Sequence, residues 1–139
     1  MKKEIISYAF KLLSKRDYFS SELKDKLLRK GFDPEDIKKV IDYLIKEKYI
    51  DDAKLKERYI RVLKEKGKSP IYIKRKLYLK GVEPPDISYD EEFDTAYNLL
   101  KTKYKKEKQF NTVVKFLKNR GFSYSIIIEV ANKFLEEEE

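Results

Sequence analysis

The chain has 139 residues and a net charge of +8, from 33 lysines and arginines against 25 aspartates and glutamates, and it contains no cysteine and no histidine. This composition excludes a disulfide framework, a thiolate metal site and the histidine-based zinc, haem and catalytic-triad sites. No apolar run approaches the ~18 residues of a membrane span, and the amino terminus lacks the apolar segment of a signal peptide, which predicts a cytoplasmic protein.

The predicted elements are organised by a phrase that occurs three times, as LLRKGFDPEDI, LYLKGVEPPDI and LKNRGFSYSII. Its central glycines are Gly31, Gly81 and Gly121. A glycine just past a helix end readily takes the left-handed conformation, and the apolar residue after it packs back onto the last turn. At each position the phrase therefore predicts a helix, a tight reversal and a second helix.

Residues 1–48 form the first predicted repeat, with three amphipathic helices. Ser20 is the expected cap of the second helix, and Asp33 with Pro34 is the expected start of the third. The three apolar stripes are Ile6, Ala9, Leu12 and Leu13; then Leu23, Leu27 and Leu28; then Ile37, Val40, Ile41, Leu44 and Ile45. Because short helices are marginal in water, we expect these stripes to pack together.

Residues 49–88 form the second predicted repeat. Asp51 and Asp52 are placed to cap its first helix, Gly67 ends that helix, and Ser69 followed by Pro70 starts the next. The inward residues are expected to be Leu55, Tyr59, Val62, Leu63, Ile73 and Leu77. The stripe of a third helix is replaced by Asp90, Glu91, Asp94 and Thr95. This third helix is therefore expected to be lost or shortened.

Residues 89–139 form the third predicted repeat, opened by Ser88 and Glu91 at capping-box spacing. Its stripes are Phe93, Ala96, Tyr97, Leu100 and Tyr104; then Phe110, Val113 and Leu117; then Ile127, Val130, Ala131, Phe134 and Leu135. The whole pattern predicts an all-α protein of about eight helices. We expect tandem three-helix repeats, with the middle repeat truncated, in an elongated or curved helical array.

The adjacent carboxylates of Asp51 and Asp52 are the most enzyme-like feature of the chain, because paired carboxylates can hold a divalent ion. Neighbouring side chains on a helix diverge, however, and no third ligand stands at a recognisable spacing, so helix capping is the better explanation. The four glycines stand alone, and none belongs to a phosphate-binding loop. The sequence therefore predicts no enzyme, no cofactor and no metal site.

Basic residues are concentrated in two tracts, and this surplus favours a polyanion or an acidic protein surface as partner. The predicted contact surface contains Lys54, Arg58, Arg61, Lys64, Lys68, Lys74, Arg75, Lys76 and Lys80. A secondary basic surface contains Lys101, Lys105, Lys106, Lys108, Lys115, Lys118 and Arg120. Such cations can bind phosphates, and Tyr72 or Tyr78 can stack on bases. It is equally consistent with the sequence that these tyrosines lie in the core or at its boundary. For a single basic helix, a solvated outer face is the alternative.

Three segments, in this order, resemble the RecX family of regulators of the bacterial recombinase RecA. They are AFKLLSKRDYFSSELKDKLLRKGF from Ala9 to Phe32, YIDD from Tyr49 to Asp52, and GKSPIYIKRKLYLKGV from Gly67 to Val82. Together they run through most of the chain, and the third repeat is the least distinctive part. Leu55 and Lys56 depart from the family, which usually has an aromatic residue and then alanine there. The lost third helix of the middle repeat is a second departure.

The resemblance implies a non-catalytic modulator that acts on RecA polymerised on single-stranded DNA and hinders filament assembly, ATP turnover and strand exchange. It implies a cytoplasmic role in DNA repair, DNA recombination and the SOS response. The implied partners are the RecA filament and single-stranded DNA, with double-stranded DNA left open, and we expect a monomer. Two alternatives remain: a helix-turn-helix-like protein that binds DNA without RecA, and an adaptor that binds only protein.

Overall fold

A computed structural model describes residues 2–137 of the chain. These residues form eight α-helices and no strand, which confirms the predicted all-α class. The helices are α1 (Lys3–Leu13), α2 (Ser20–Lys30), α3 (Pro34–Lys46), α4 (Asp52–Glu65), α5 (Pro70–Leu79), α6 (Tyr89–Lys103), α7 (Phe110–Asn119) and α8 (Tyr124–Glu137). Within the described part of the chain, no helix is both long and apolar enough to cross a membrane.

The helix contacts divide the chain into two compact units. Unit 1 comprises Met1–Tyr59 and Leu79–Val82, and unit 2 comprises Ile60–Tyr78 and Glu83–Glu139. The three repeats stay a prediction. They were drawn from the spacing of residues in the sequence, and the two units are defined by contacts in the structure. In the structure, α4 begins in unit 1 and ends in unit 2, so the residues of the second repeat are shared between the two units.

The core of unit 1 is built from the facing stripes of α1, α2 and α3. Its buried residues are Ile5, Ala9, Leu12, Tyr18, Leu23, Leu27, Ile37, Val40, Leu44 and Ile50. Leu28 and Ile45, which the periodicity placed in this core, are instead 41% and 47% exposed. The adjacent residues Leu27 and Leu44 are fully buried, and Leu28 and Ile45 lie at the outer edges of the same stripes. Tyr59 is half-buried and packs edge-on against buried Phe19.

The core of unit 2 is built mainly from α6, α7 and α8. Its buried residues are Ala96, Leu99, Leu100, Tyr104, Val113, Phe116, Leu117, Phe122, Ile126, Ile127, Val130, Ala131 and Phe134. From the part of the chain before α6, the side chains of Leu63, Ile73 and Leu77 are also buried. Val62 and Phe110, predicted to face inward, are 37% and 39% exposed.

The glycine of each repeated phrase takes the left-handed conformation that the sequence predicts. The φ angles are +99° at Gly31, +72° at Gly81 and +83° at Gly121, and Gly67 has +75°. After α2, the Gly31 N–H donates to Leu28 O and the Phe32 N–H donates to Leu27 O, which satisfies two carbonyls at the helix end. After Gly81, residues 82–88 contain no helix.

Four of the predicted helix caps form as expected, at Asp33, Asp51, Ser69 and Ser88, and one forms differently. Asp33 accepts from the Glu35 N–H at 2.8 Å, and Ser69 accepts from the Tyr72 N–H at 3.2 Å. The prediction for Ser20 was wrong, because Ser20 is the first residue of α2 rather than its cap. Its backbone N–H and its hydroxyl both donate to the carboxylate of Asp52. The N-terminus of α2 is therefore capped by Asp52, a residue 32 positions later in the chain.

Candidate functional site

Unit 1 holds three of the nine cations of the predicted contact surface. Arg58 forms an ion pair with Asp17 at 2.5 Å, and Lys80 forms one with Glu22 at 2.9 Å. Lys54 is exposed and has no carboxylate partner among the described residues. Two of these three cations are therefore already paired with carboxylates of unit 1.

Glu22 is the centre of this ion pairing. Its carboxylate accepts hydrogen bonds from Lys80 Nζ, Arg16 Nη2 and the backbone N–H of Phe19. Burial by itself raises the pKa of this carboxyl, but the three hydrogen bonds outweigh burial and the pKa lies below its usual value of 4.5. Next to it, the Ser21 hydroxyl donates to Lys80 O at 2.5 Å, which explains why Leu79–Val82 belongs to unit 1.

Unit 2 holds the other six cations of the predicted contact surface: Arg61, Lys64, Lys68, Lys74, Arg75 and Lys76. Lys64 forms an ion pair with Glu91 at 2.7 Å. Arg61, Lys74 and Arg75 are exposed, and none has a carboxylate partner in the described part of the chain. These three side chains are therefore the members of the set best placed to meet a partner.

The two tyrosines of α5 differ in their surroundings. Tyr78 is 74% exposed, so its ring is accessible for stacking. Tyr72 is half-buried, and the cationic groups of Lys68, Lys76 and Arg75 lie 4.8, 5.4 and 6.0 Å from its ring centroid. These contacts occupy the ring of Tyr72 with cations, so its place in the structure favours organising basic side chains over stacking on a base.

The secondary basic surface lies at the end of α6, in the following loop and along α7. Lys101 is on α6, Lys105, Lys106 and Lys108 are in the loop, and Lys115, Lys118 and Arg120 are on or directly after α7. Of these, Lys106, Lys115 and Arg120 line one depression together with Asn111, Thr112, Phe116 and Asn119. The second predicted set is therefore partly gathered around one concavity in unit 2.

A further concavity in unit 2, called the basic pocket below, brings together residues from both predicted surfaces. It is lined by Lys66, Gly67, Lys68, Ser69, Tyr72, Leu99, Lys103 and Arg120. Lys66 and Lys103 were missed by the sequence reasoning. The sequence shows only that each of these lysines lies at the end of a helix: Lys66 precedes Gly67, and Lys103 is the last residue of α6. Nothing in the spacing shows that these two positions meet.

The paired carboxylates of Asp51 and Asp52 act as helix caps. Asp51 accepts from the Lys54 N–H at 3.1 Å and so caps α4, while Asp52 accepts from Ser20. Each carboxylate thus satisfies the orphan donors of a different helix. Within residues 2–137, no group of three or more histidine, cysteine, aspartate or glutamate side chains could hold a metal ion.

Comparison with known proteins identifies the family. A sequence model described as the first three-helix domain of RecX matches residues 6–44. The regulatory protein RecX of Legionella pneumophila strain Corby is 31% identical, over 88% of this chain and 89% of its own length. The chain belongs to the RecX family. The RecX protein of Clostridium tetani is 33% identical over 91% of this chain, which spans 65% of that longer relative.

The fold agrees with this family membership. The crystal structure of RecX from Lactobacillus salivarius superposes with a TM-score of 0.76, covering 94% of each chain at 22% identity. At this identity the match shows a shared helical fold. The relatives are named regulatory proteins, which gives the chain a regulatory role within the RecX family.

Proposed function

We propose that this RecX-family protein is a non-catalytic regulator of the recombinase RecA. It binds RecA that is polymerised on single-stranded DNA and hinders filament assembly, ATP turnover and strand exchange. Membership of a family of regulatory proteins carries this proposal. The absence of histidine and cysteine from the sequence and the segregation of its basic residues support it.

The contact surface for the filament is centred on Arg61, Lys74 and Arg75 of unit 2. Their side chains are exposed, and their charges are not neutralised by carboxylates of the described residues. Arg58, Lys64 and Lys80 belong to the same predicted set but form ion pairs. Changing any of these three would also break an ion pair, so they are less direct probes of binding.

The triple substitution Arg61→Glu, Lys74→Glu and Arg75→Glu tests this surface. We expect the unaltered protein to slow the hydrolysis of ATP by RecA on single-stranded DNA. The triple variant should need at least about tenfold more protein for the same effect, because like charges oppose its association. The measurement is the rate of ATP hydrolysis against protein concentration, with helix content checked by circular dichroism.

A charge-matched control uses Lys24→Glu, Lys38→Glu and Lys39→Glu, three exposed lysines of unit 1 without an ion pair in the described part of the chain. This control should inhibit RecA as well as the unaltered protein does. Equal loss in both triple variants would mean that net charge alone matters and would remove the proposed surface. If the unaltered protein leaves RecA unaffected but binds duplex DNA with sequence preference, the alternative of a RecA-independent DNA-binding protein is correct.

A further inference from the structure

The basic pocket is formed within unit 2 at a place where four helix ends meet. The turn from α4 to α5 supplies Lys66 and Lys68, the last residue of α6 is Lys103, and Arg120 directly follows α7. The pocket has a volume of about 280 Å³. Its remaining lining residues are neutral, so four cations share one small concavity.

The four cations have no carboxylate to balance them. No acidic residue lines the pocket, and none of the four cations takes part in an ion pair within the described part of the chain. Glu65 lines a neighbouring depression with Lys66 and Lys103, but it forms no ion pair with either. Holding like charges together without a counter-ion is unfavourable, and a bound anion would relieve this repulsion.

The partial charges of the surrounding helix ends offset only part of the positive charge of the four cations. Cations are stabilised near helix C-termini, and Arg120 shows this directly, since its guanidinium donates to Phe116 O at 3.1 Å. Three helix C-termini of about −0.5 charge each, offset by about +0.5 from the start of α5, supply only about −1 in total. The pocket therefore keeps a charge of about +3, or about +2 if neighbouring Glu65 is counted.

We propose that the basic pocket binds an oligophosphate, such as the phosphate tail of a nucleoside triphosphate. The four cations line a single concavity of about 280 Å³ that is open to solvent on one side. Phosphates along a nucleic-acid strand carry one charge each and are separated by a whole sugar, so few of them fit in this space. In an oligophosphate, adjacent phosphates share one bridging oxygen, and three or four charges fit together.

Two neutral residues complete this site. Ser69 is 2% exposed, and its hydroxyl accepts from the Tyr72 N–H, which leaves the hydroxyl proton available to donate to a phosphate oxygen. The ring of Tyr72 lies 4.8 Å from Lys68 Nζ and holds this ammonium group beside the pocket. Phosphate binding can be measured on the isolated protein, so its test does not depend on the proposed action on RecA.

Calorimetric titration of the purified full chain with tripolyphosphate, ATP and orthophosphate tests this proposal. We expect one tripolyphosphate or ATP per chain, with orthophosphate binding at least about tenfold more weakly because it carries fewer charges. The variant Lys66→Gln with Lys103→Gln should lose at least about tenfold in affinity. Neither side chain makes a hydrogen bond or ion pair among the described residues, so the fold should be unaffected. Circular dichroism checks this.

The matched control is Lys74→Gln with Lys118→Gln, which removes the same charge from exposed positions of unit 2 outside the pocket. It should bind tripolyphosphate like the unaltered protein. Equal affinities for ATP and tripolyphosphate would identify the phosphate tail as the ligand, and tighter binding of ATP would identify the nucleotide. The proposal is overturned if tripolyphosphate does not bind at millimolar concentration, if both variants lose affinity equally, or if only a single-stranded oligonucleotide depends on Lys66 and Lys103.

Discussion

Individual basic residues of this protein have two different roles, although they look alike in the sequence. Arg58, Lys64 and Lys80 pair with carboxylates in their own unit and so stabilise it. Arg61 and Lys74 are exposed without such a partner in the described part of the chain and are available for binding. The sequence could predict that both tracts are basic. It could not predict this division, because each acidic partner lies at least 27 residues away along the chain.

Glu22 offers a test of the paired group at the scale of one residue. We expect Glu22→Gln to lower the free energy of unfolding of unit 1 by about 1–2 kcal/mol at pH 7, because the charged acceptor of three hydrogen bonds is lost. The folded-state pKa of Glu22 lies below its unfolded value of 4.5. Its contribution to the stability of unit 1 is therefore complete above pH 4.5 and is lost as the pH falls through the folded-state pKa. The difference between the two proteins should therefore disappear in acid.

Amide hydrogen exchange in α1, α2 and α3 reports on unit 1 alone and can measure this difference. The control is Asp25→Asn on the same helix, since Asp25 is exposed and has no ion pair within residues 2–137. The control should change protection little at any pH. A loss of protection in Glu22→Gln that stays constant between pH 7 and pH 3 would mean that packing, not charge, explains the effect.

At the scale of the helices, local sequence signals predict where most elements begin and end. Glycines end α2 and α4, and Asp33 and Ser69 cap the helices that follow. The prediction that Ser20 caps α2 was wrong because the carboxylate that accepts from the start of this helix, Asp52, is remote in sequence. The basic pocket was missed for the same reason, since the helix ends that form it are remote in sequence.

Gly31 and Gly67 provide a matched pair for the cost of a side chain at a helix end. Both have positive φ, so alanine is strained at either position. A Cβ at Gly31 would meet no atom within 4 Å, whereas one at Gly67 would lie 2.5 Å from Leu99 Cδ1. We expect Gly31→Ala to destabilise unit 1 by about 1–2 kcal/mol. Gly67→Ala should destabilise unit 2 by roughly 1–3 kcal/mol more, because buried Leu99 must move.

Hydrogen exchange measured separately in each unit gives both values, since Gly31 lies in unit 1 and Gly67 in unit 2. The control is Ser125→Ala at an exposed position on α8, where alanine fits the helical backbone without strain. Equal destabilisation by the two glycine substitutions would show that Leu99 adapts without cost and that backbone strain alone determines the result.

For the whole molecule, the sequence predicts the all-α class and the family correctly. Eight helices form within residues 2–137, and membership of the RecX family rests on similarity over most of the chain. The contacts gather these helices into two compact units, although the glycine phrase occurs three times. The spacing of the phrase does not predict this division, because it depends on contacts between residues remote in sequence, such as the Ser21 hydroxyl with Lys80 O and Glu22 with Lys80 Nζ.

We propose that this RecX-family protein acts on RecA filaments. The most direct test is co-sedimentation of the unaltered protein with RecA assembled on circular single-stranded DNA, compared at the same salt concentration with DNA free of RecA. The proposed function predicts binding to the filament at stoichiometric amounts, at least about tenfold tighter than binding to bare DNA. No binding to the filament, or equal binding to filament and bare DNA, would contradict it.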